Sequence, residues 1–275
     1  MKKLFLLFLI FTTSTMLAQI ERIEPPFWYS GMHNPELQIL VYGKNIAKYT
    51  ISTSNSLPIT KVEQTENPNY LFVTINTENI APQDFSLIFK EKDKVAFTKK
   101  YSLKQRKENS AERKSFDASD MMYLIMPDRF SNGKKNNDSN DETTEKYNRD
   151  LPGGRHGGDI QGIINHLDYI NELGATTIWS TPLCEDNDAQ YSYHTYGQSD
   201  VYKIDPRYGT NADYVRLSNE LHQRKMKLVM DYVTNHWGIE HWMMKDLPTQ
   251  DWFNYIGNYT QTNHKRTVIH DIHAS

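Results

Sequence analysis

Cysteine is almost missing from this 275-residue sequence, which holds one, Cys184. An internal disulfide is therefore excluded, and the fold must rest on its core and its hydrogen bonds. Glu185 and Asp186 follow that thiol, a setting that suits a packed or loop cysteine better than a nucleophilic thiolate. An excess of positive charge is missing as well. Lys and Arg number 31 against 34 Asp and Glu, for a net charge of −3, so no basic field exists to attract nucleic acid. Beyond the first residues no apolar run is long enough to cross a bilayer, so no membrane partner is expected for the mature chain.

What is present begins with an address. Met1, Lys2 and Lys3 give a positive start, Leu4 to Phe11 a short apolar run, and Thr12 to Ala18 a small polar stretch. This reads as a secretory signal peptide over residues 1–18, cleaved after Ala18, too short for a membrane span. Hydrophobic residues make up 38% and charged residues 24%, which describes an ordinary globular chain. Aromatics reach 12%, with 17 Tyr; core packing accounts for most, and a carbohydrate cleft is the alternative use for the rest.

From residue 20 to 103 short runs alternate between apolar and polar residues, as in Leu71, Val73 and Ile75, and Pro, Asn and Gly punctuate them. Strands are expected at Leu37 to Tyr42, Tyr70 to Ile75, Phe85 to Phe89 and Val95 to Leu103, in a small antiparallel β-sandwich. Residues 104–120 are charged and poor in apolar side chains, the composition of a linker. The rhythm then changes over residues 121–275. MMYLIM at Met121 to Met126 suits a strand buried on both faces. Ile160, Ile163, Ile164, Leu167, Ile170 and Leu173 recur at helical spacing before Gly174, a C-cap position. Thr176 to Ser180 is the next strand. A helix opened by Thr210 and Asp213 as a capping box follows, then a third strand at Met226 to Asp231. Strand, helix, strand, helix, strand is the grammar of an α/β fold with a parallel sheet. An open doubly wound sheet and an eight-fold barrel both satisfy it, and both place function in the loops after the strands' C-terminal ends.

The unusual residues cluster in those loops. The third strand runs into DYVTNH, Asp231 to His236, placing a carboxylate, an amide and an imidazole at the mouth; a capped polar turn is the alternative. The first loop, DRFSNGKKNNDSND from Asp128 to Asp141, is rich in Asn and Asp oxygens that suit a hard cation, or else a solvated loop. GRHGGDIQGI adds Asp159 and glycine carbonyls to that loop, favouring an oxygen cage. The second loop, Tyr191 to Asp205, packs Tyr and His so densely that it reads as packing against neighbours or as the wall of a sugar cleft.

In order, DRFSNG, GGDIQGI, LDYINELGATTIWSTP, SDVYKIDPRYGT and KLVMDYVTNH resemble the opening of a glycoside hydrolase family 13 (α-amylase family) catalytic barrel, over Met121 to Trp252. The preceding sandwich is similar to the N-terminal domain of neopullulanases and cyclomaltodextrinases. The resemblance implies an N-terminal β-sandwich followed by the first part of a (β/α)8 TIM barrel, with about three of its eight strands present. It implies that Asp231 orients an active-site arginine, that His236 hydrogen-bonds sugar hydroxyls, and that Asn235 braces its loop or, as in some members, binds calcium. Tyr196 would stack on the sugar ring beside the scissile bond, with His194 as its neighbour. It further implies a Ca2+ held by Asn132, Asn137, Asp138, Asp159 and the carbonyl of Gly157. Lys134 stands where many members carry an aspartate ligand, and the segment around Thr195 and Gln198 departs from the commoner pattern.

The activity implied is retaining hydrolysis of α-1,4 bonds, or α-1,6 bonds, in maltodextrins, cyclodextrins or pullulan, with α-glucan oligosaccharides as partners and the periplasm as location. A non-catalytic α-glucan-binding protein and a transglycosylase or isomerase of the same family are the alternatives. No catalytic residue is assigned, because the family's nucleophile and acid/base lie on strands four and five, beyond Ser275. The expectation is therefore an N-terminal fragment that is inactive and poorly folded on its own.

Overall fold

Leu71, Val73 and Ile75 alternate along one strand and reach one core, and that alternation organises the N-terminal part of the chain. A computed structural model describes residues 20–253. The segment read as a signal peptide and residues 254–275 lie outside the described residues. Eight strands come first: β1 Ile20–Glu24, β2 Trp28–Tyr29, β3 Glu36–Gly43, β4 Thr50–Thr53, β5 Ile59–Gln64, β6 Tyr70–Asn76, β7 Gln83–Glu91 and β8 Lys94–Lys104. They form two four-stranded sheets, in the orders β1-β3-β6-β5 and β2-β8-β7-β4. Pairing is antiparallel except between β2 and β8. Ile39, Val41, Leu71, Val73, Leu87 and Phe89 are fully buried at the centre, each contributing about 1.5–3 kcal/mol by its removal from water. The four expected strands are present with longer ends. β1, β2, β4 and β5 were not anticipated, being short or, like ITKVEQ of β5, largely polar.

The chain divides into two units, the first running to Ala111 and including Pro248–Trp252, the second Glu112–Leu247. The division falls within the expected linker 104–120, whereas Pro248–Trp252, assigned by sequence to the barrel region, group with the sandwich.

In the second unit the elements are β9 Met122–Ile125, α1 Pro127–Phe130, α2 Ile160–Asn165, α3 Leu167–Glu172, β10 Thr177–Ser180, β11 Cys184–Glu185, β12 Asp200–Ile204, α4 Asn211–Gln223, β13 Lys227–Met230 and α5 Trp242–Lys245. β9, β10 and β13 pair in parallel, in that order. Register places Ile178 between Tyr123 and Leu228, and this face packs on Ile163, Leu167, Leu217 and Leu221 of the helices. The opposite face carries Leu124 and Trp179, which stay 57% and 37% exposed. The expected single helix from Ile160 to Leu173 is broken at His166, whose φ of −115° leaves the helical region; its Nδ1 lies 2.8 Å from the Gly162 carbonyl. α4 begins with the expected capping box of Thr210 and Asp213. Burial works to raise the Asp213 carboxyl, but bonds from Thr210 and Arg216 prevail and hold it down at about 2. Among the described residues no helix is long and apolar enough to cross a membrane.

The long loops after β9 and β10 are joined by buried charges rather than by apolar packing. Asp128 accepts from the amides of His156 and Gly157 and pairs with Arg129 Nε at 2.8 Å. Arg155, with 1% of its side chain exposed, lies 3.6 Å from Asp128 on one side and 3.6 Å from Asp205 on the other. Arg207 completes the chain with a two-pronged bond to Asp205, at 2.9 and 2.6 Å. Burial alone would raise the Asp205 carboxyl, but Arg155 and Arg207 outweigh it and hold the group below the usual range. Such pairs contribute little net stability, since desolvating the ions offsets their attraction, yet removing one partner strands a buried charge.

Asp186 is the exception in this lattice. It is fully buried, and the donors reaching its carboxylate are the backbone amides of Asp188 and Gly197. Burial, reinforced by Asp188 and Asp205, pushes its carboxyl up to about 7. In the unfolded chain the group titrates near 4, so between pH 4 and 7 the folded state binds the extra proton. Stability is thus lost as pH rises through this window, and the loss is complete above the folded-state value. Urea unfolding of the wild type and of Asp186→Asn at pH 4.5, 6 and 8 should show the wild type falling relative to the variant by about 1–3 kcal/mol. Parallel profiles would refute the assignment.

Candidate functional site

β13 ends at Met230, and the next residue, Asp231, falls on the same side of the sheet as Val229, Trp179 and Leu124. Two donors converge there on one carboxylate oxygen. Tyr196 OH donates to Asp231 Oδ2 at 3.0 Å, and Trp179 Nε1 donates to the same atom at 3.3 Å. Burial, and then the bond to Asp231, raises the Tyr196 phenol above its ordinary value, so it remains a donor at neutral pH. His194 accepts from the Tyr196 amide through Nδ1 at 3.1 Å, and their rings lie 5.8 Å apart. Burial lowers the His194 pKa, which favours the neutral ring that this acceptor role requires.

The wall bearing His194 and Tyr196 is a single 3-10 turn, Ser192–His194, between two residues with left-handed backbone, Tyr191 (φ 63°) and Thr195 (φ 56°). Buried and half-buried groups pin it. Ser192 donates to Glu145 Oε2 from both its amide and its hydroxyl, at 2.8 and 2.7 Å. Arg155 Nη1 donates to the Ser192 carbonyl at 2.9 Å, Tyr208 OH to the Tyr193 carbonyl, and the Thr195 hydroxyl to the Pro182 carbonyl. Cys184 is buried, its thiol pushed up to about 11 by burial, which fits the packed role expected of it.

Of the residues picked out by sequence, Asp231, Tyr196 and His194 meet. Asn235 and His236 do not join them. Both are exposed, and they pair with each other, Asn235 Nδ2 lying 3.1 Å from His236 Nδ1. Three residues were missed. Trp179 could have been found from strand alternation, since it faces away from Ile178. Arg155 and Glu145 carry no local signal; only the folded loops give them a role.

The loop after β9 brings together Asn132, Asp138 and Gly157. Asn132 Nδ2 donates to Asp138 Oδ1 at 2.8 Å, and a Cβ on Gly157 would lie 2.7 Å from the first and 3.0 Å from the second. The amide oxygens of Asn132 and Asn137 are buried with no hydrogen-bond partner. Burial raises the Asp138 carboxyl, and nearby Asp159 and Asp128 add to this. These oxygens have the chemistry that a hard cation takes. Asp159 is engaged differently: its carboxylate accepts from the amides of Gly133, Lys134 and Gly162 and so caps α2. The Lys134 ammonium leaves the loop for Asp213, 3.4 Å away. Among the described residues no group of three or more His, Cys, Asp or Glu could hold a metal. A cation here would therefore depend on amide and backbone oxygens beside the single Asp138 carboxylate.

The family described as alpha amylase, catalytic domain, matches residues 124–270, and cyclomaltodextrinase, N-terminal, matches residues 22–107. The beta/alpha-amylase of Paenibacillus polymyxa is 36% identical over 149 residues, covering 50% of this chain and 12% of that protein. Neopullulanase 2 of Thermoactinomyces vulgaris is 34% identical over 158 residues, covering 54% and 26%. Among solved structures, an Anoxybacillus alpha-amylase is 40% identical, with a TM-score of 0.46 over 50% of this chain and 29% of that one. The chain thus spans about a quarter or less of the length of these curated relatives. Because the catalytic-domain match takes in more than half of its 275 residues, the chain belongs to the alpha-amylase catalytic-domain family.

Proposed function

We propose that this chain forms part of the glucan-binding cleft of a glycoside hydrolase that cleaves α-1,4 glucosidic bonds with retention. The observation that carries the reading is the convergence of Tyr196 and Trp179 on Asp231 at the C-terminal end of a parallel strand. An aromatic ring held by its hydroxyl offers its face to the apolar C–H surface of a sugar. Asp231, already accepting two bonds on one oxygen, serves as an anchor and an acceptor. The retaining reaction needs a nucleophilic carboxylate and a separate acid/base, and neither role is given to Asp231. His236 and Asn235 lie on the segment that follows it, where an imidazole and an amide can bond sugar hydroxyls. Export through the Met1 to Ala18 segment, to the periplasm, belongs to the same reading.

Titration calorimetry on the full chain tests this reading. Maltotriose should bind and cellotriose should not. Tyr196→Ala should weaken maltotriose binding by about tenfold and Tyr196→Phe by less, since the ring remains. Equal binding of both sugars, or no effect of Tyr196→Ala, would overturn the reading.

The oxygen-lined loop after β9 is proposed to take Ca2+ through Asn132, Asn137, Asp138 and the Gly157 carbonyl. The unpartnered buried amide oxygens support this, and the ion's part would be to fix the loop, with Asp159 shaping it through backbone amides. Saturating CaCl2 should raise the thermal midpoint of the second unit by about 2–6 °C, chelation should reverse this, and Asn137→Ala with Asp138→Asn should abolish it. A midpoint indifferent to calcium would remove the ion from the account.

A further inference from the structure

One side of the N-terminal sandwich is open. β1 is the edge strand of its sheet. β8 has β2 beside it only at Leu103 and Lys104, so from Lys94 to Ser102 that edge has no neighbouring strand among the described residues. Between the two edges lies a cleft of about 210 Å³, several times the ~30 Å³ share of one water. β1 enters it through a bulge. Its register slips between Ile20 and Arg22, and the extra residue lets Ile20 and Ile23, three apart, both pack on the sandwich core. With the buried ring of Tyr101 they form the apolar part of the cleft.

The rest of the lining is charged, and mostly positive. Lys99 lies opposite Leu87, a fully buried core residue, so it stands on the inward face of its strand. An ammonium in that register is too costly to bury and stays exposed at the cleft. Lys100 is exposed too, and its cross-strand neighbour is Ser86. Among the described residues neither lysine has an acidic partner. Arg22 adds a third cation, 3.6 Å from Glu24, and Glu21 is the one carboxylate in the lining. Inward-pointing charge on an open edge also deters pairing with a foreign strand. That accounts for Lys99 alone, and not for two unpaired ammoniums and a guanidinium gathered beside apolar side chains.

We propose that this cleft binds a small organic anion, with its apolar body against Ile20, Ile23 and Tyr101 and its charged head among Arg22, Lys99 and Lys100. The test is calorimetry on the full chain with hexanoate, 1-hexanol and inorganic phosphate. Hexanoate should bind more tightly than either of the others, since each of those lacks one half of the recognition. Lys99→Gln combined with Lys100→Gln should raise the hexanoate Kd about threefold to tenfold. Lys92→Gln combined with Lys94→Gln removes the same charge outside the cleft and should leave that Kd unchanged. All four lysines are exposed, so both double variants should melt with the wild type. Absence of saturable hexanoate binding, equal binding of hexanoate and either of the other probes, or an equal response of the two double variants would overturn the site.

Discussion

The second unit depends on one buried guanidinium. Arg155 stands between Asp128 and Asp205 and bonds the Ser192 carbonyl. It thereby ties the loop after β9, the strand end at β12 and the turn that bears His194 and Tyr196. The parallel sheet alone could not do this. β9, β10 and β13 are each four residues long, and their apolar packing serves the helix side. The loops at the other end have little apolar material and are held by ionic and hydrogen-bonded contacts. Arg207 on Asp205, Glu145 on Ser192 and Arg129 on Asp128 extend the lattice. Buried ion pairs of this kind specify geometry more than they add stability, and geometry is what a sugar-binding wall requires.

Much of the fold was legible because local chemistry and tertiary structure agree. Alternation in β6 and the continuous apolar run of β9 announced strands, and Thr210 with Asp213 announced α4. Where the two disagreed, the sequence misled. Helical spacing from Ile160 to Leu173 ignores His166, whose side chain reaches the Gly162 carbonyl and ends the first helix. The polar strand β5 is paired along its edge with β6, a non-local cause that no window of residues contains. The site was legible in the same uneven way. Asp231 and Tyr196 stand at positions fixed by a strand end and a motif, and they meet. Asn235 and His236 belong to the same motif but turn to each other. Arg155 is an arginine in a glycine-rich loop, and only folding reveals that it is buried.

The two loops differ in how they treat unpaired polarity. The loop after β9 leaves amide oxygens of Asn132 and Asn137 buried and unpartnered, a cost that a bound cation would relieve. The loop after β10 contains Asp186, a buried carboxyl relieved by a proton instead. Asp159 shows a third solution, with its charge spread over three backbone amides. Lys134, which faces Asp213, leaves the first loop to its neutral and acidic oxygens.

Amide hydrogen exchange of wild type against Arg155→Met tests the central claim most directly. If the buried guanidinium holds the wall, the amides of Ser192, Tyr196 and Gly197 should exchange at least about tenfold faster in the variant, while β10 and α4 keep their protection. Unchanged exchange at those three amides, or an even loss of protection across the whole second unit, would contradict it.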